Sequence, residues 1–469
     1  MDVIVIGCGA SGLAAIRKLH DAGLQVLGLE AATRIGGRIL TVEYCNGTVD
    51  LGAAWCHGEK NNIVFELAEP LGLLGKPDDY ENYYMISNGE LVPRDVCEEI
   101  ISVLENEVYE ADKNTKSISE CVRGAINNHE ILQKEPHITN WLTAIYEKLN
   151  HLGGEDDPKT GKSLRSLEES HICEGEFMLN WKDKGFKALL SVLLNQYPDP
   201  SKEIPVQILK NKEVTNVRWR TSQPGDTTNP LVQVKCKDGS LYAAKSVIIT
   251  VSVGVLKERH ANLFNPPLPK EKINCINNMQ MCILDKIYIE FTKPWWSKAC
   301  KYQLLWREED KAQFSDQDRW IAEIFCLETV EYQPNLLRAW MYGKAAAFME
   351  KLSNDEVKTG VNVLLERVLK KRFDVTPVKS VLRYSRFIVR VSFISIGYEM
   401  SSSWVRFTDQ TTPIFCSITT PIIPFQREVS YAFYIKSRVY LNILTTRLLA
   451  DKELPITSNF NQSMLDAIL

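Results

Sequence analysis

Although the 469-residue chain carries 12 cysteines, no two of them stand in Cys-x-x-Cys spacing. Zinc sites and dithiol redox centres are therefore not expected, and no metal site is assigned. Nor is there a basic leader, since Asp2 runs directly into a strand, and the last residues, Ala467-Ile468-Leu469, are not a peroxisomal address. With reduced thiols in a chain of this length, the expected compartment is the cytoplasm. No apolar run approaches the ~20 residues that cross a bilayer; the longest is Ser246 to Leu256, so no membrane association is expected. Neither sign of charge dominates. Lys and Arg total 55 against 59 Asp and Glu, a net of −4, which argues against a nucleic-acid surface built on bulk charge. Long polar low-complexity tracts and internal repeats are also missing, while 45% of residues are hydrophobic. That composition supports two or three folded domains.

What is present begins at once. Val3-Ile4-Val5-Ile6 is a short β-branched run suited to a buried parallel strand, and it leads into Gly7-Cys8-Gly9-Ala10-Ser11-Gly12. A helical stretch with Leu13, Ile16 and Leu19 follows, stops at Gly23, and gives way to a second strand, Leu24 to Leu29, ending at Glu30. Strand, glycines, helix, strand and terminal acid in this order make a dinucleotide cradle. Gly7 permits the tight turn, Gly9 lets backbone approach a pyrophosphate, and Gly12 allows close helix–strand packing. The helix amino terminus offers free N–H groups and a favourable dipole to phosphate. Glu30 is placed to accept ribose hydroxyls and disfavours the extra phosphate of NADP. Next comes Arg34-Ile35-Gly36-Gly37-Arg38, in which paired glycines admit a ligand and a guanidinium supplies a planar fork for phosphate. Leu51-Gly52-Ala53-Ala54-Trp55-Cys56-His57-Gly58 follows shortly after. An NAD-dependent dehydrogenase would leave both blocks unexplained.

These blocks resemble the flavin-containing amine oxidase superfamily, and the Gly-Ala-Ala-Trp-Cys-His-Gly stretch is most similar to animal polyamine and spermine oxidases. The resemblance continues through a strand over Lys210 to Trp219, a hairpin at Asp238-Gly239, Val247 to Lys257, Phe264 to Pro269, Asp285 to Phe291 and Pro294-Trp295-Trp296. It covers roughly residues 1 to 385. It implies an α/β amine oxidase fold in which a Rossmann-type FAD-binding domain is interleaved with a discontinuous mixed α/β substrate-binding domain. Residues 1–75 and 200–275 would bind FAD, and 76–199 and 276–385 would bind substrate. The helical stretches expected around that frame are Cys97 to Ala111, Ile118 to Leu132 and Asp355 to Phe373, with a loop from Gly153 to Gly161.

The resemblance implies non-covalent FAD, held by Gly7, Gly9, Ser11, Gly12, Glu30, Ala31, Arg38, Gly52, Ala53, Trp55, Val214 and Val251. From pattern alone, Lys286 on its alternating strand reads as a solvated surface group and His57 as a packed ring. The resemblance instead places Lys286 beside flavin N5, where a buried amine exchanges protons near neutrality, and turns His57 toward the substrate. Trp55 would flank the flavin or the polyamine chain. Glu174 and Glu176 lie in the right region for distal ammonium groups, without a motif that assigns them. The implied reaction is oxidation of spermine or an N-acetylated polyamine by FAD and O2, giving an aminoaldehyde and hydrogen peroxide.

The resemblance ends after Arg383. From Tyr384 to Leu469 there is one glycine, Gly397, of the chain's 25, and the Gly-Glu-Ala-Thr stretch and glycine-bearing final helix of the family are not legible. Residues 386–469 are thus an atypical segment in place of the expected flavin-closing part. A shifted reading frame, a retained intron or an alternative terminal exon accounts for so abrupt a switch, with true divergence as the other explanation. The alternative function is a catalytically impaired relative that keeps the nucleotide cradle as a binding protein.

Overall fold

The computed structural model describes residues 1–111, 118–150, 173–219, 232–383, 390–393 and 414–416. A five-stranded parallel sheet runs in the order β21 (Ile414–Cys416), β13 (Ser246–Ile249), β1 (Val3–Ile6), β2 (Val26–Leu29) and β9 (Gln207–Leu209). Every residue of β1, β2 and β13 is buried, as a parallel sheet covered on both faces requires. The alternation of the strands decides which cover each side chain meets. Val3, Val5 and Val26 pack with helix α1 (Ala10–Asp21) and helix Ala188–Leu193. Ile4, Ile6, Leu27 and Leu29 face a second sheet, ordered β12 (Leu241–Ala244), β11 (Val232–Cys236), β10 (Val214–Trp219) and β14 (Phe264–Asn265). Helix Ala188–Leu193 lies within 76–199 yet packs against α1.

The Asp238-Gly239 hairpin forms, with Gly239 at φ +86 and Lys235 opposite Leu241. The strand expected from Lys210 starts only at Val214. Asn211, at φ 58, turns the chain, and the Lys212 N–H donates to the Glu30 carbonyl at 2.8 Å. After β13 the chain enters a helix, Val253–Leu263, capped by the Ser252 side chain on the Val255 N–H.

An eight-stranded sheet makes the second body of the fold. Its path is β19 (Val378–Arg383), β15 (Gln280–Phe291), β18 (Gln333–Tyr342), β17 (Cys326–Val330), β16 (Cys300–Leu305), β6 (Glu81–Ile86) and β7 (Leu91–Val92), with β20 (Arg390–Phe393) pairing along the start of β15. Ile287, Ile289 and Phe291 of β15 enter an apolar cluster with helix Asn354–Leu364. That helix opens with a capping box in which the Ser353 hydroxyl accepts from the Glu356 N–H and the Glu356 carboxylate accepts from the Ser353 N–H. Helices Arg94–Glu110, Ile118–Asn128, Glu130–Lys134 and Pro136–Asn150 bury a separate cluster against Tyr84, Val92 and Leu305. The helix expected over Ile118 to Leu132 is interrupted because His129 takes an extended conformation, its ring 2.7 Å from Glu107. Two ribbons complete the strands: β3 (Thr41–Tyr44) with β4 (Gly47–Asp50), and β5 (Trp55–Cys56) with β8 (Leu179–Asn180). The expected loop at 153–161 lies outside the described residues, as does the atypical segment 386–469 apart from β20 and β21. No helix among the described residues is long and apolar enough to cross a membrane.

Candidate active site

The glycine turn closes tightly between β1 and α1. Gly7, at φ +94, donates its N–H to the Leu29 carbonyl, and its own carbonyl accepts the Thr250 hydroxyl at 2.8 Å. A Cβ on Gly12 would stand 1.9 Å from the Gly7 oxygen, so only glycine lets α1 lie this close to β1. α1 begins at Gly9 without a side-chain cap and without an acid in its first turn, which comprises Ala10, Ser11 and Gly12. No carboxylate within that turn offsets the positive end of the helix. Gly9 bridges to Gly36, and the Gly36 N–H donates to the Cys8 carbonyl at 2.8 Å, which lays the Arg34–Arg38 turn alongside the glycine loop.

Glu30 sits at the end of β2, facing that loop. Its two oxygens accept the Cys8 N–H at 2.8 Å and the Ala32 N–H at 2.9 Å, and each keeps further acceptor capacity. Ala31 between them is exposed. The two arginines behave differently. Arg34 ties its own turn together, donating to the carbonyls of Ile35, Gly37 and Ile39 at 2.8–3.1 Å. Burial pushes the Arg38 guanidinium down to about 10. The Arg38 carbonyl accepts the Ala53 N–H at 3.1 Å, and a Cβ on Gly52 would stand 1.9 Å from it. Val214 is buried and Val251 half-buried, and both border the apolar cluster that also holds Ile6 and Leu29.

Gly52 connects the cradle to Lys286. The Lys286 ammonium donates to the carbonyls of Gly52 at 2.6 Å and Asp50 at 2.9 Å. It is not the solvated strand lysine that the alternation alone suggests, being 8% exposed. The alternation of β15 is nonetheless correct: Ile287 and Ile289 enter one core while Lys286 and Tyr288 turn to the other face. Burial first, then the neighbouring Arg338 charge, brings Lys286 down to about 7. Burial also pushes Asp50 up to about 6, against the Thr41 hydroxyl that donates to it and the charge of Lys286. Lys286 lies 5.7 Å from the Trp55 ring centre and 5.1 Å from that of Trp340. His57, two residues after Trp55, is buried, with its ring centre 4.5 Å from that of Phe177 at a tilt of 57° and edge-on at 6.3 Å from Trp55.

The two acids left unassigned by the sequence have these partners. Glu174 pairs with Lys60 at 2.9 Å on the surface, and Glu176 accepts the N–H groups of Phe177 and Met178. Conversely, Glu328, Glu331, Arg338 and Trp340 surround the Lys286 face and escape sequence reasoning. Glu331 accepts from the Tyr80 hydroxyl at 2.9 Å and the Trp55 indole at 3.4 Å. The signal available for Glu328 and Arg338 is that each is the one charged residue of its strand.

An open helix amino terminus, a buried guanidinium and a carboxylate with spare lone pairs suit the pyrophosphate and ribose of a dinucleotide. Residues 10–398 match the family described as flavin containing amine oxidoreductase. Among curated proteins, the chain is 28% identical over 433 residues to the peroxisomal N(1)-acetyl-spermine/spermidine oxidase of Homo sapiens, covering 81% of this chain and 80% of that protein. It is 28% identical over 409 residues to the same-named protein of Bos taurus, covering 78% and 77%. It is 24% identical over 414 residues to the probable polyamine oxidase 5 of Arabidopsis thaliana, covering 76% and 74%. The chain therefore belongs to the flavin containing amine oxidoreductase family, and its cofactor is FAD.

Proposed function

We propose that the chain is a FAD-dependent polyamine oxidase acting on spermine or an N-acetylated polyamine. The observation that carries this reading is the buried Lys286 amine, tied to the Gly52 and Asp50 carbonyls and brought to about 7. The names of the relatives point to the same substrate class.

In this reading a Rossmann-type domain from 1–75 and 200–275 holds FAD, and 76–199 with 276–385 forms the substrate side. The parallel sheet that joins β1 and β2 to β9 and β13, and the larger sheet that joins β6 and β7 to β15 through β19, support that division. Gly7, Gly9, Ser11 and Gly12 would present the α1 terminus to the pyrophosphate, with Arg38 as its guanidinium partner. Glu30 and Ala31 would meet the ribose, Val214 the adenine, and Gly52, Ala53, Trp55 and Val251 the flavin side. Bound non-covalently, FAD supplies a two-electron acceptor that takes hydride from the amine carbon and passes the electrons to O2 as hydrogen peroxide. Lys286 would hold a water at its neutral amine and carry protons in the imine hydrolysis that yields an aminoaldehyde. Near pH 7 it is poised between its two forms, which suits both halves of that exchange. Trp55 and Trp340 give an aromatic wall that tolerates a cationic alkyl chain. His57 would donate a hydrogen bond to the lone pair of the substrate amine, favouring the neutral amine that hydride loss requires. The cytoplasm remains the proposed compartment, on chain length and cysteine usage.

The visible absorption of the purified chain tests this, recorded before and after anaerobic spermine or N-acetylspermine. A flavin band that bleaches, and peroxide release on admitting air, is the expected result. A flavin band unchanged by either amine overturns the substrate assignment in favour of the impaired relative.

A further inference from the structure

One row of charge crosses the sheet beside Lys286. Read along the register, Lys301 of β16 stands opposite Glu328 of β17, Glu328 opposite Arg338 of β18, and Arg338 opposite Tyr288 of β15. All four are at most 2% exposed. One Glu328 oxygen accepts from Arg338 Nε at 2.9 Å, Arg338 Nη2 at 2.7 Å and the Trp340 indole at 2.6 Å. The other lies 3.3 Å from Lys301 Nζ. An apolar row of equal volume would stabilise this sheet as well or better, so stability alone does not account for the charges.

Their placement does. The Arg338 guanidinium carbon is 4.4 Å from the Trp55 ring centre and 5.3 Å from that of Trp340, and the two rings stack at 5.8 Å and 23°. Lys286 Nζ approaches the same two rings. Arg338 and Lys286 thus share one pair of indoles, and Trp55 is the only one of the pair that lies outside the eight-stranded sheet. We propose that Arg338 is a positioning residue of this site: clamped on Glu328, it fixes the Trp55 indole and sets a permanent positive charge beside the Lys286 amine.

The charge half of this proposal rests on the role given to Lys286 above; the Trp55 half does not. A like charge disfavours the ammonium form of the lysine. The groups facing Lys286 are the Asp50 carboxylate and carbonyl, the Gly52 carbonyl, Tyr288, Arg338, Glu328 and Glu331. The three carboxylates favour the ammonium, while burial and Arg338 oppose it.

Three holoprotein variants test both halves: Arg338→Met, Arg338→Lys and Glu328→Gln. The readouts are the near-ultraviolet circular dichroism of the stacked indoles and the acid limb of anaerobic flavin reduction that Lys286→Met abolishes. Arg338→Met removes the like charge and moves that limb up by about one pH unit, with loss of the indole signal. Glu328→Gln leaves Arg338 and Lys301 uncompensated and moves the limb down. Arg338→Lys keeps the limb in place but weakens the indole signal, because an ammonium has no planar face to stack. Opposite limb shifts for Arg338→Met and Glu328→Gln mark a charge effect, since structural damage would move both the same way. Shifts of one sign, or none, overturn the charge half, and an intact indole signal in Arg338→Lys overturns the Trp55 half. If Arg338→Met does not fold, the other two variants decide by the same signs. If Lys286→Met abolishes no limb, the role of Lys286 and the charge half fall together while the indole signal still judges the Trp55 half.

Discussion

Lys286 makes the stability of this protein depend on pH in a way that a single substitution isolates. Burial and Arg338 lower it from 10.5 to about 7 in the folded chain, whereas it keeps its ordinary value when unfolded. Between those two values the unfolded state binds the extra proton. Stability then rises with pH, at up to about 1.4 kcal/mol per pH unit. Below about 7 the folded lysine is protonated as well, and the dependence vanishes. Asp50 acts with the opposite sign at lower pH: raised to about 6, it makes stability fall as pH climbs from the ordinary carboxylate range toward 6. The perturbation is Lys286→Met, a side chain of similar length without a titrating group. Denaturant unfolding of both proteins is followed at several pH values from 7.5 to 9.5. Because titrations that do not interact with Lys286 cancel in the difference, the wild type should gain on the variant by close to 3 kcal/mol over that span as an upper bound, and by at least about 1 kcal/mol if the buried site relaxes. The assay needs no turnover. Parallel pH curves, or a wild type that loses ground as pH rises, would refute the burial and charge account of this lysine.

Gly12→Ala should prevent α1 from seating on β1, because the new methyl would stand 1.9 Å from the Gly7 carbonyl oxygen. Overpacking of this kind costs about 1–3 kcal/mol, and the purified variant should show a weaker flavin absorption at equal protein concentration. Ser353→Ala removes half of the capping box of helix Asn354–Leu364 and should lower stability by about 1 kcal/mol, read as a shift in denaturant midpoint, with the flavin spectrum unchanged.

The elements that were legible share a short reach along the chain. Val3 to Ile6, the glycines, α1, β2 and Glu30 form one continuous stretch, and each step follows from local patterning: β-branched residues for a buried strand, glycine where backbone must turn or pass closely, a carboxylate at the strand end. The alternation of β15 was equally plain, and the Asp238-Gly239 turn named its own hairpin. Helix ends were less so. His129 breaks Ile118 to Leu132 by taking an extended conformation opposite Glu107, a partner 22 residues away that no local pattern reveals.

The surroundings of Lys286 lay beyond such patterns. Whether a lysine on a half-apolar strand faces water or the core depends on what covers that face, and here the cover comes from Asp50 and Gly52, more than 230 residues earlier. Lys301, Glu328 and Arg338 are brought into one row by strand register, which depends on the whole sheet. Residue order along the chain was enough to write the nucleotide cradle, because its parts interact over the length of one strand–helix–strand unit. Tertiary structure alone decided the protonation of Lys286 and the company of Trp55, because desolvation and Coulomb interaction follow distance in space rather than separation in sequence.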